Sequence, residues 1–230
     1  NHLFGAGLVE LLAREMSADL HAIRRNALAT ARSSRAEYRA RLESKGIRFG
    51  WITAKPDGLL ELREIDGVDT DLVIRPFSQK GVMTSLRQFT VNALNHHHGM
   101  QSEERFGVRW TGETDFDEDG QDDEITIGDV SALVAWQAAL PPPGVKVPQD
   151  INWKMAAERG SKVFDSIGCN GCHARALPLD SLVFQDPGGF DAAGSKIVHF
   201  KTIDIAAAVS IPEGLITPIV RHVDYKNLGQ

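Results

Sequence analysis

The fold prediction starts from one short stretch, Cys169-Asn170-Gly171-Cys172-His173. Two thiols separated by two residues, with a histidine directly after the second, form the pattern through which a c-type haem is attached. The thiols add to the two vinyl groups of the porphyrin, and the imidazole binds the iron. These are the only two cysteines among the 230 residues, so neither is left for another task. The motif therefore predicts haem c, bound by Cys169, Cys172 and His173.

Two other uses of a Cys-x-x-Cys pair stay open. A redox dithiol of the thioredoxin type lies where a strand opens into a helix, whereas residues 152–167 before this motif have helical periodicity. A closed zinc site needs four ligands and usually more than two sulfurs. We therefore favour haem. The helix before the motif predicts a cytochrome c-like domain over residues 146–230, with Leu177 and Pro178 against the haem edge.

Composition limits the class of protein and its compartment. A formal net charge of −6 and a pI near 5.7 argue against nucleic acid and against an anionic membrane surface as partners. No run of 18 apolar residues occurs, so we expect no transmembrane helix. The first residues, Asn1-His2-Leu3, do not form a signal peptide, which suggests a processed or truncated chain. Since haem c is normally attached outside the cytoplasm, we expect a periplasmic or otherwise exported protein.

The fold class is predicted as mainly α. Residues 1–145 are expected to form a helical region with a small β-meander, ending in an acidic loop and a helix. The expected elements are helices over residues 6–43, strands at Ile47–Ala54, Leu59–Ile65 and Asp71–Phe77, and a helix capped by Thr84. Residues 31–45 are interpreted as a solvated helix or an exposed connection. Three prolines and a glycine, at 141–144, mark the domain boundary.

An unusual polar stretch, Asn95-His96-His97-His98-Gly99-Met100, ends that helix. Successive helical residues rotate by about 100°, so at most one or two of the histidines face inward. An exposed polar loop is one interpretation. The other is that His98 or Met100 binds an iron, because imidazole and thioether are its usual axial ligands. Gln101 and Glu104 are then candidate catalytic residues beside it.

The acidic run at 115–124 predicts a calcium site. Aspartates alternate at positions 115, 117 and 119 and are followed by Gly120, which is how a calcium loop begins. The twelfth position is Thr126, where an EF-hand has glutamate, so another carboxylate must complete the shell. The candidate calcium ligands are Asp115, Asp117, Asp119, Gln121, Asp123 and Glu124. An acidic surface loop without an ion is the alternative.

The second ligand of the haem iron decides between an enzyme and an electron carrier. All four methionines precede the motif, so the iron has no downstream methionine. His199, His222, a residue from positions 1–145, or water remain as alternatives opposite His173. Water leaves an open iron that reacts with peroxide, whereas two strong ligands make an electron relay. The residues alone leave both open.

Several short stretches together resemble one family. They are Phe4-Gly5-x-Gly7-Leu8-x-Glu10, Arg48-Phe49-Gly50-Trp51, Ser85-Leu86-Arg87-Gln88-Phe89, His98-Gly99-Met100-Gln101 and the Cys169–His173 motif. With these, the chain resembles the C-terminal part of the di-haem oxidoreductase family, putative peroxidases or thiol oxidoreductases related to bacterial di-haem cytochrome c peroxidase. The resemblance implies two cytochrome c-like domains with calcium between them.

The resemblance also implies a function. It suggests a periplasmic c-type haem oxidoreductase module of a di-haem, peroxidase-like protein. The alternative is a non-catalytic electron-transfer subunit of a larger redox complex. The family has two haem motifs and this chain has one. The expected partner is therefore another haem domain or cytochrome, upstream of Asn1 or on a separate chain.

Overall fold

The computed structural model describes residues 3–79, 81–143, 146 and 148–186, and beyond these only the backbone of five short strands. It divides into two compact units. The N-terminal unit comprises Asn1–Ala139 and Pro178–His199, and the motif unit comprises Leu140–Leu177 and Phe200–Gln230. The domain boundary expected near residue 145 stays a prediction.

One long helix, α1 (Ala6–Ser34), organises the N-terminal unit. Its apolar residues recur on one face, and Leu20 and Ala27 are fully buried. The helix ends at Arg35, which has left-handed backbone angles. The prediction of helix as far as residue 43 is wrong. Residues Tyr38–Ser44 form strand β1, in which alternate side chains are buried, the period of a strand with one face on the core.

A three-stranded antiparallel sheet packs on α1 in the order β1-β2-β3. Strand β2 (Ile47–Ala54) has the predicted bounds, and β3 contains only Leu60–Glu61 of the longer strand expected there. The third predicted strand, at residues 71–77, is wrong. That segment is irregular. It buries two separate side chains, Leu72 and Phe77, and not the alternating side chains of one strand face.

Two further helices, α2 (Leu86–His98) and α5 (Ile127–Ala139), pack against each other in the same unit. Helix α2 is capped by Ser85, whose hydroxyl accepts a hydrogen bond from Gln88 N, and not by Thr84 as predicted. Two single-turn helices lie between them, α3 (Glu103–Phe106) and α4 (Val108–Thr111). The strand β4 (Val183–Gln185) pairs antiparallel with β5 (Ile197–His199).

The motif unit contains helix α6 (Ile151–Ser166), capped by Asp150, and a 3₁₀ turn at Cys169–Gly171. Its C-terminal part contains two antiparallel strand pairs. These are β6 (Ile205–Ala206) with β9 (Ile219–Val220), and β7 (Val209–Ile211) with β8 (Gly214–Ile216). The described structure is thus mainly α with a small antiparallel sheet, as predicted. None of its described helices has the length and apolarity needed to cross a bilayer.

Candidate functional site

The acidic loop brings three carboxylates together. One oxygen from each of Asp115, Asp117 and Asp119 lies within 4.8 Å of the other two. Calcium–oxygen distances are about 2.4 Å, so two oxygens on one ion are at most about 4.8 Å apart. The loop holds this geometry through its own backbone. The Asp115 carboxylate accepts hydrogen bonds from Asp119 N at 3.1 Å and Gly120 N at 2.9 Å.

The turn of the loop depends on Gly120, whose φ is +89°. This left-handed conformation favours glycine and turns the chain back directly after Asp119. The Asp119 carboxylate accepts a hydrogen bond from Gln121 N at 2.9 Å. The turn therefore keeps Asp119 facing the same side of the loop as the other two aspartates.

The remaining predicted calcium ligands lie elsewhere in the loop. Asp123 and Glu124 are not part of the three-carboxylate group. The Glu124 carboxylate accepts a hydrogen bond from Gln101 N at 2.7 Å, and the amide of Asp123 binds Thr114 O at 3.2 Å. Asp122, which was not predicted, accepts a hydrogen bond from the Thr114 hydroxyl at 2.6 Å. These hydrogen bonds join Thr114 and Gln101 to residues 122–124 and close the base of the loop, which we call the neck.

The neck is attached to the helical part of the N-terminal unit. Ser102 and Ile125 form a parallel bridge, and Glu103 N donates to Ile125 O at 2.9 Å. At the start of α5, Asp129 accepts hydrogen bonds from the hydroxyl and amide of Thr126, and these lower the pKa of Asp129. The C-terminal end of the acidic loop is therefore anchored by specific hydrogen bonds.

The cysteine motif forms one tight turn. His173 N donates to Cys169 O at 2.9 Å, and Cys172 N donates to the same oxygen at 3.2 Å. Both cysteines are free thiols; Cys169 is half-buried, while Cys172 and His173 are exposed. The His173 ring lies 6.1 Å from the Phe164 ring, centroid to centroid. The turn thus presents two thiols and an imidazole on consecutive positions of one surface loop.

The candidate iron ligands outside this motif are placed differently. His96, His97 and His98 all lie exposed at the end of α2, and Met100 is half-buried. Gly99 ends the helix in a left-handed conformation, φ +67°. The three histidines therefore lie at the surface, which agrees with the interpretation of this stretch as exposed and polar. His199 belongs to β5, but its side chain, like all of His222, lies outside the described residues.

The two candidate catalytic residues take part in structural contacts. Glu104 accepts hydrogen bonds from the Arg87 guanidinium, with Nε 2.7 Å from Oε2, and the same guanidinium binds Asp186 at 2.7 Å. Arg87 and Asp186 are buried. Gln101 is engaged through its backbone amide with Glu124. Glu104 therefore balances a buried cation in this structure.

Sequence reasoning missed Glu10, which is fully buried within α1. Its carboxylate accepts hydrogen bonds from Leu86 N at 2.6 Å and from Arg14. Burial raises the pKa of Glu10, while the Leu86 amide and Arg14 act in the opposite direction. A signal was present, because the charged residue interrupts an apolar patch that includes Leu8 and Leu11.

Comparison with protein families gives a match at the end of the chain. The last part of the chain, residues 188–230, is similar to the family of 2-oxoacid dehydrogenases acyltransferase (catalytic domain). No curated protein matches the chain, and no solved structure does. The match covers less than half of the chain, so it gives a likeness for this segment and not a family for the whole.

This match corrects two predictions. The assignment to the di-haem oxidoreductase family is wrong, because the family found is an acyltransferase family. The predicted function, haem electron transfer or peroxidase-like chemistry, is wrong for the same reason, and the keywords haem, cytochrome and peroxidase have no support from this match. The resemblance relied on short stretches and on a motif that many families share. The segment from residue 188 had been assigned to the cytochrome c-like domain predicted for residues 146–230.

Proposed function

We propose that the N-terminal unit binds calcium at the acidic loop. The observation that carries this proposal is the convergence of Asp115, Asp117 and Asp119, whose oxygens lie within the span that one ion covers. All three ligands are hard carboxylate oxygens, which calcium prefers. Backbone carbonyls and water complete such shells in other proteins. Asp123 and Glu124 close the neck and are not proposed as ligands.

Calcium at this position has a physical role in the loop. Three carboxylates this close repel one another when ionised, and a divalent cation removes that repulsion. The C-terminal end of the loop is hydrogen-bonded to the α3 and α5 region, through Glu103, Ile125 and Thr126. An ion that holds the loop closed therefore also restrains these helices.

Thermal unfolding tests this proposal. We expect the melting temperature to fall when a strong chelator is added and to recover with calcium, because the ion binds the folded state only. Asp117→Asn should abolish this response. Asp122→Asn is the matched control, since Asp122 lies in the same loop but outside the three-carboxylate group. A melting temperature that does not respond to chelator in the wild type would refute the site.

The cofactor prediction at Cys169, Cys172 and His173 is kept as a proposal, without any redox activity. The acyltransferase match begins at residue 188 and does not reach this motif. The two cysteines form no disulfide, and helix α6 before them has no buried residue. Large apolar side chains on α6 and at its C-cap are exposed, namely Ile151, Trp153, Met155, Val163 and, at the C-cap, Ile167. Exposed apolar surface beside two thiols suits a covalently held, mostly apolar group such as haem.

The cytochrome c-like domain predicted for 146–230 is not proposed with these bounds, because Pro178–His199 belong to the N-terminal unit and residues 188–230 are similar to an acyltransferase family. Leu177 is half-buried and Pro178 exposed. Because haem c is normally attached outside the cytoplasm, this proposal also favours an exported protein. A partner haem domain is not proposed, because it was expected only from the family assignment that the match overturns.

Covalent attachment has a direct test. A thioether-bound haem stays with the denatured polypeptide, so the wild type should keep visible absorbance after unfolding and gel filtration. The double variant Cys169→Ser and Cys172→Ser should lose that absorbance, and Ser166→Ala, a change on an exposed hydroxyl of the same unit, should keep it. Two titratable thiols per wild-type chain, without absorbance, would overturn the cofactor proposal.

A second candidate function comes from the match itself. Because residues 188–230 are similar to an acyltransferase catalytic domain, we propose that this segment takes part in acyl transfer. The test is incubation of the full chain with an acyl thioester and a thiol acceptor. Transfer above the uncatalysed rate is expected, and a rate equal to the uncatalysed one would contradict this function.

A further inference from the structure

The segment from Pro178 to Asp186 lies on the N-terminal unit and is fastened there at both ends. We name it the strap. At its first end, Asp180 N and Ser181 N donate to the Glu15 carboxylate at 3.0 and 2.9 Å. Lys45 Nζ bridges the same two partners, 2.6 Å from Asp180 and 2.9 Å from Glu15. This end is a small ionic cluster, in which Asp180 itself remains largely exposed.

The middle of the strap has one apolar anchor. Phe184 is fully buried, while its neighbours Val183 and Gln185 are exposed. The Arg14 guanidinium lies 5.6 Å from the centroid of the Phe184 ring and donates a 2.6 Å hydrogen bond to Gln185 O. One buried aromatic side chain contributes far less than the core that α1 forms with the sheet.

The second end is a buried ion pair between Asp186 and Arg87. Arg87 also donates to the Ser131 hydroxyl at 3.0 Å and to Glu104. Asp186 is 1% exposed, so water does little to stabilise its charge if the pair breaks. Removing one partner of a buried pair is therefore costly, which makes this contact the lock of the strap.

We propose that the strap docks on the N-terminal unit and detaches from it as one unit, with Arg87 and Asp186 as the lock. Apart from the lock and Phe184, the contacts of the strap are exposed polar contacts, which water replaces on release at little net cost. The core of α1 and the sheet does not depend on Phe184. Opening of the strap should therefore require less free energy than global unfolding.

The charges around the lock support a release that depends on ionisation. Three carboxylates, Glu10, Glu104 and Asp186, share the two guanidinium groups of Arg14 and Arg87. When all are ionised, one negative charge is in excess. Asp186 contributes to the raised pKa of Glu10, after burial as the main cause. A deprotonated Glu10 repels the Asp186 carboxylate and so weakens the binding of Asp186 at the lock. The strap should therefore open more readily at higher pH.

The strap connects Leu177, which follows the cysteine motif, to the segment matched from residue 188. Because β4 lies within the strap and pairs with β5, release of the strap must either break this pairing or carry β5 with it.

Amide hydrogen exchange on the full chain tests this inference. In the wild type we expect the strap peptide to exchange faster than β2 after correction for intrinsic rates. Asp186→Asn should speed exchange of the strap by about tenfold or more while β2 keeps its rate. Glu64→Gln is the control, because it breaks an exposed pair with Arg39 and should leave the strap unchanged.

A second variant guards against loss of folding. Lys45→Met removes the cation at the other end of the strap, and it should also speed strap exchange without affecting β2. Exchange of the strap at the same rate as β2 in the wild type, with both accelerated together in either variant, would overturn the inference. The strap would then be part of the global folding unit.

Discussion

Arg87 and Asp186 lie 99 residues apart in the sequence and form a buried ion pair, with Nη1 2.7 Å from Oδ2. The pair joins the first turn of α2 to the residue that follows β4. Its guanidinium also holds Glu104 on α3 and Ser131 on α5. One arginine thus links three helices and the end of a strand, and we expect its contribution to stability to be correspondingly large.

The first prediction concerns this cation. Arg87→Met should lower the free energy of unfolding by about 3 kcal/mol or more, because it leaves Asp186 and Glu104 without their buried partner. Denaturant unfolding measures the loss. Arg63→Met is the control, since Arg63 is exposed and lies 3.8 Å from Glu61, and it should change stability by less than about 0.5 kcal/mol. Equal effects of the two variants would show that the network does not stabilise the fold.

The second prediction concerns pH and Glu10. Its pKa is raised above the ordinary value of 4.5 by burial, so the folded state holds the proton more tightly than the unfolded state. This contribution to stability is fully present below pH 4.5 and is lost as pH rises through the raised pKa. Glu10→Gln should therefore flatten the fall in stability above pH 4.5. A variant whose stability curve parallels that of the wild type over this window would contradict the assignment.

A third prediction uses two glycines, Gly50 within β2 and Gly46 in the turn before it. Gly50 has φ +79°, and a Cβ there would lie 1.9 Å from Glu64 O; Gly46 has φ +81° with no atom within 4 Å. Gly46→Ala should cost about 1 kcal/mol, from the backbone conformation alone. Gly50→Ala should cost at least about 2 kcal/mol more, because the Glu64 carbonyl must move. Chemical denaturation of both variants measures the difference, and equal losses would refute the close approach.

Local patterns predicted much of the fold. The helical character of residues 6–34, the strand β2 and helix α6 were visible in the sequence from their hydrophobic periods, although α1 is one helix and not several as predicted. Strand β1 was missed because its exposed positions carry Arg39, Arg41 and Glu43, which suggested a solvated helix. Its buried residues, at positions 40, 42 and 44, alternate as in a strand, but this burial depends on the packing of α1 against β1 and is not visible in the sequence.

The candidate sites differ in the same way. The alternation of Asp115, Asp117 and Asp119 was readable because all of its geometry lies within a few residues. The pairing of Arg87 with Glu104 and Asp186 could not be predicted from the sequence, since it depends on tertiary contacts between distant segments. Glu104 was assigned to catalysis for that reason. The di-haem family assignment failed because it relied on short motifs, and the segment at 188–230 was assigned to the cytochrome c-like domain on the strength of one of them.

Calorimetric titration of the chelator-treated chain with calcium tests the central claim most directly. We predict one bound ion per chain in the wild type, no detectable binding in Asp117→Asn, and unchanged binding in Asp122→Asn. Absence of heat in the wild type, or equal binding in Asp117→Asn, would show that the three converging aspartates are not a calcium site.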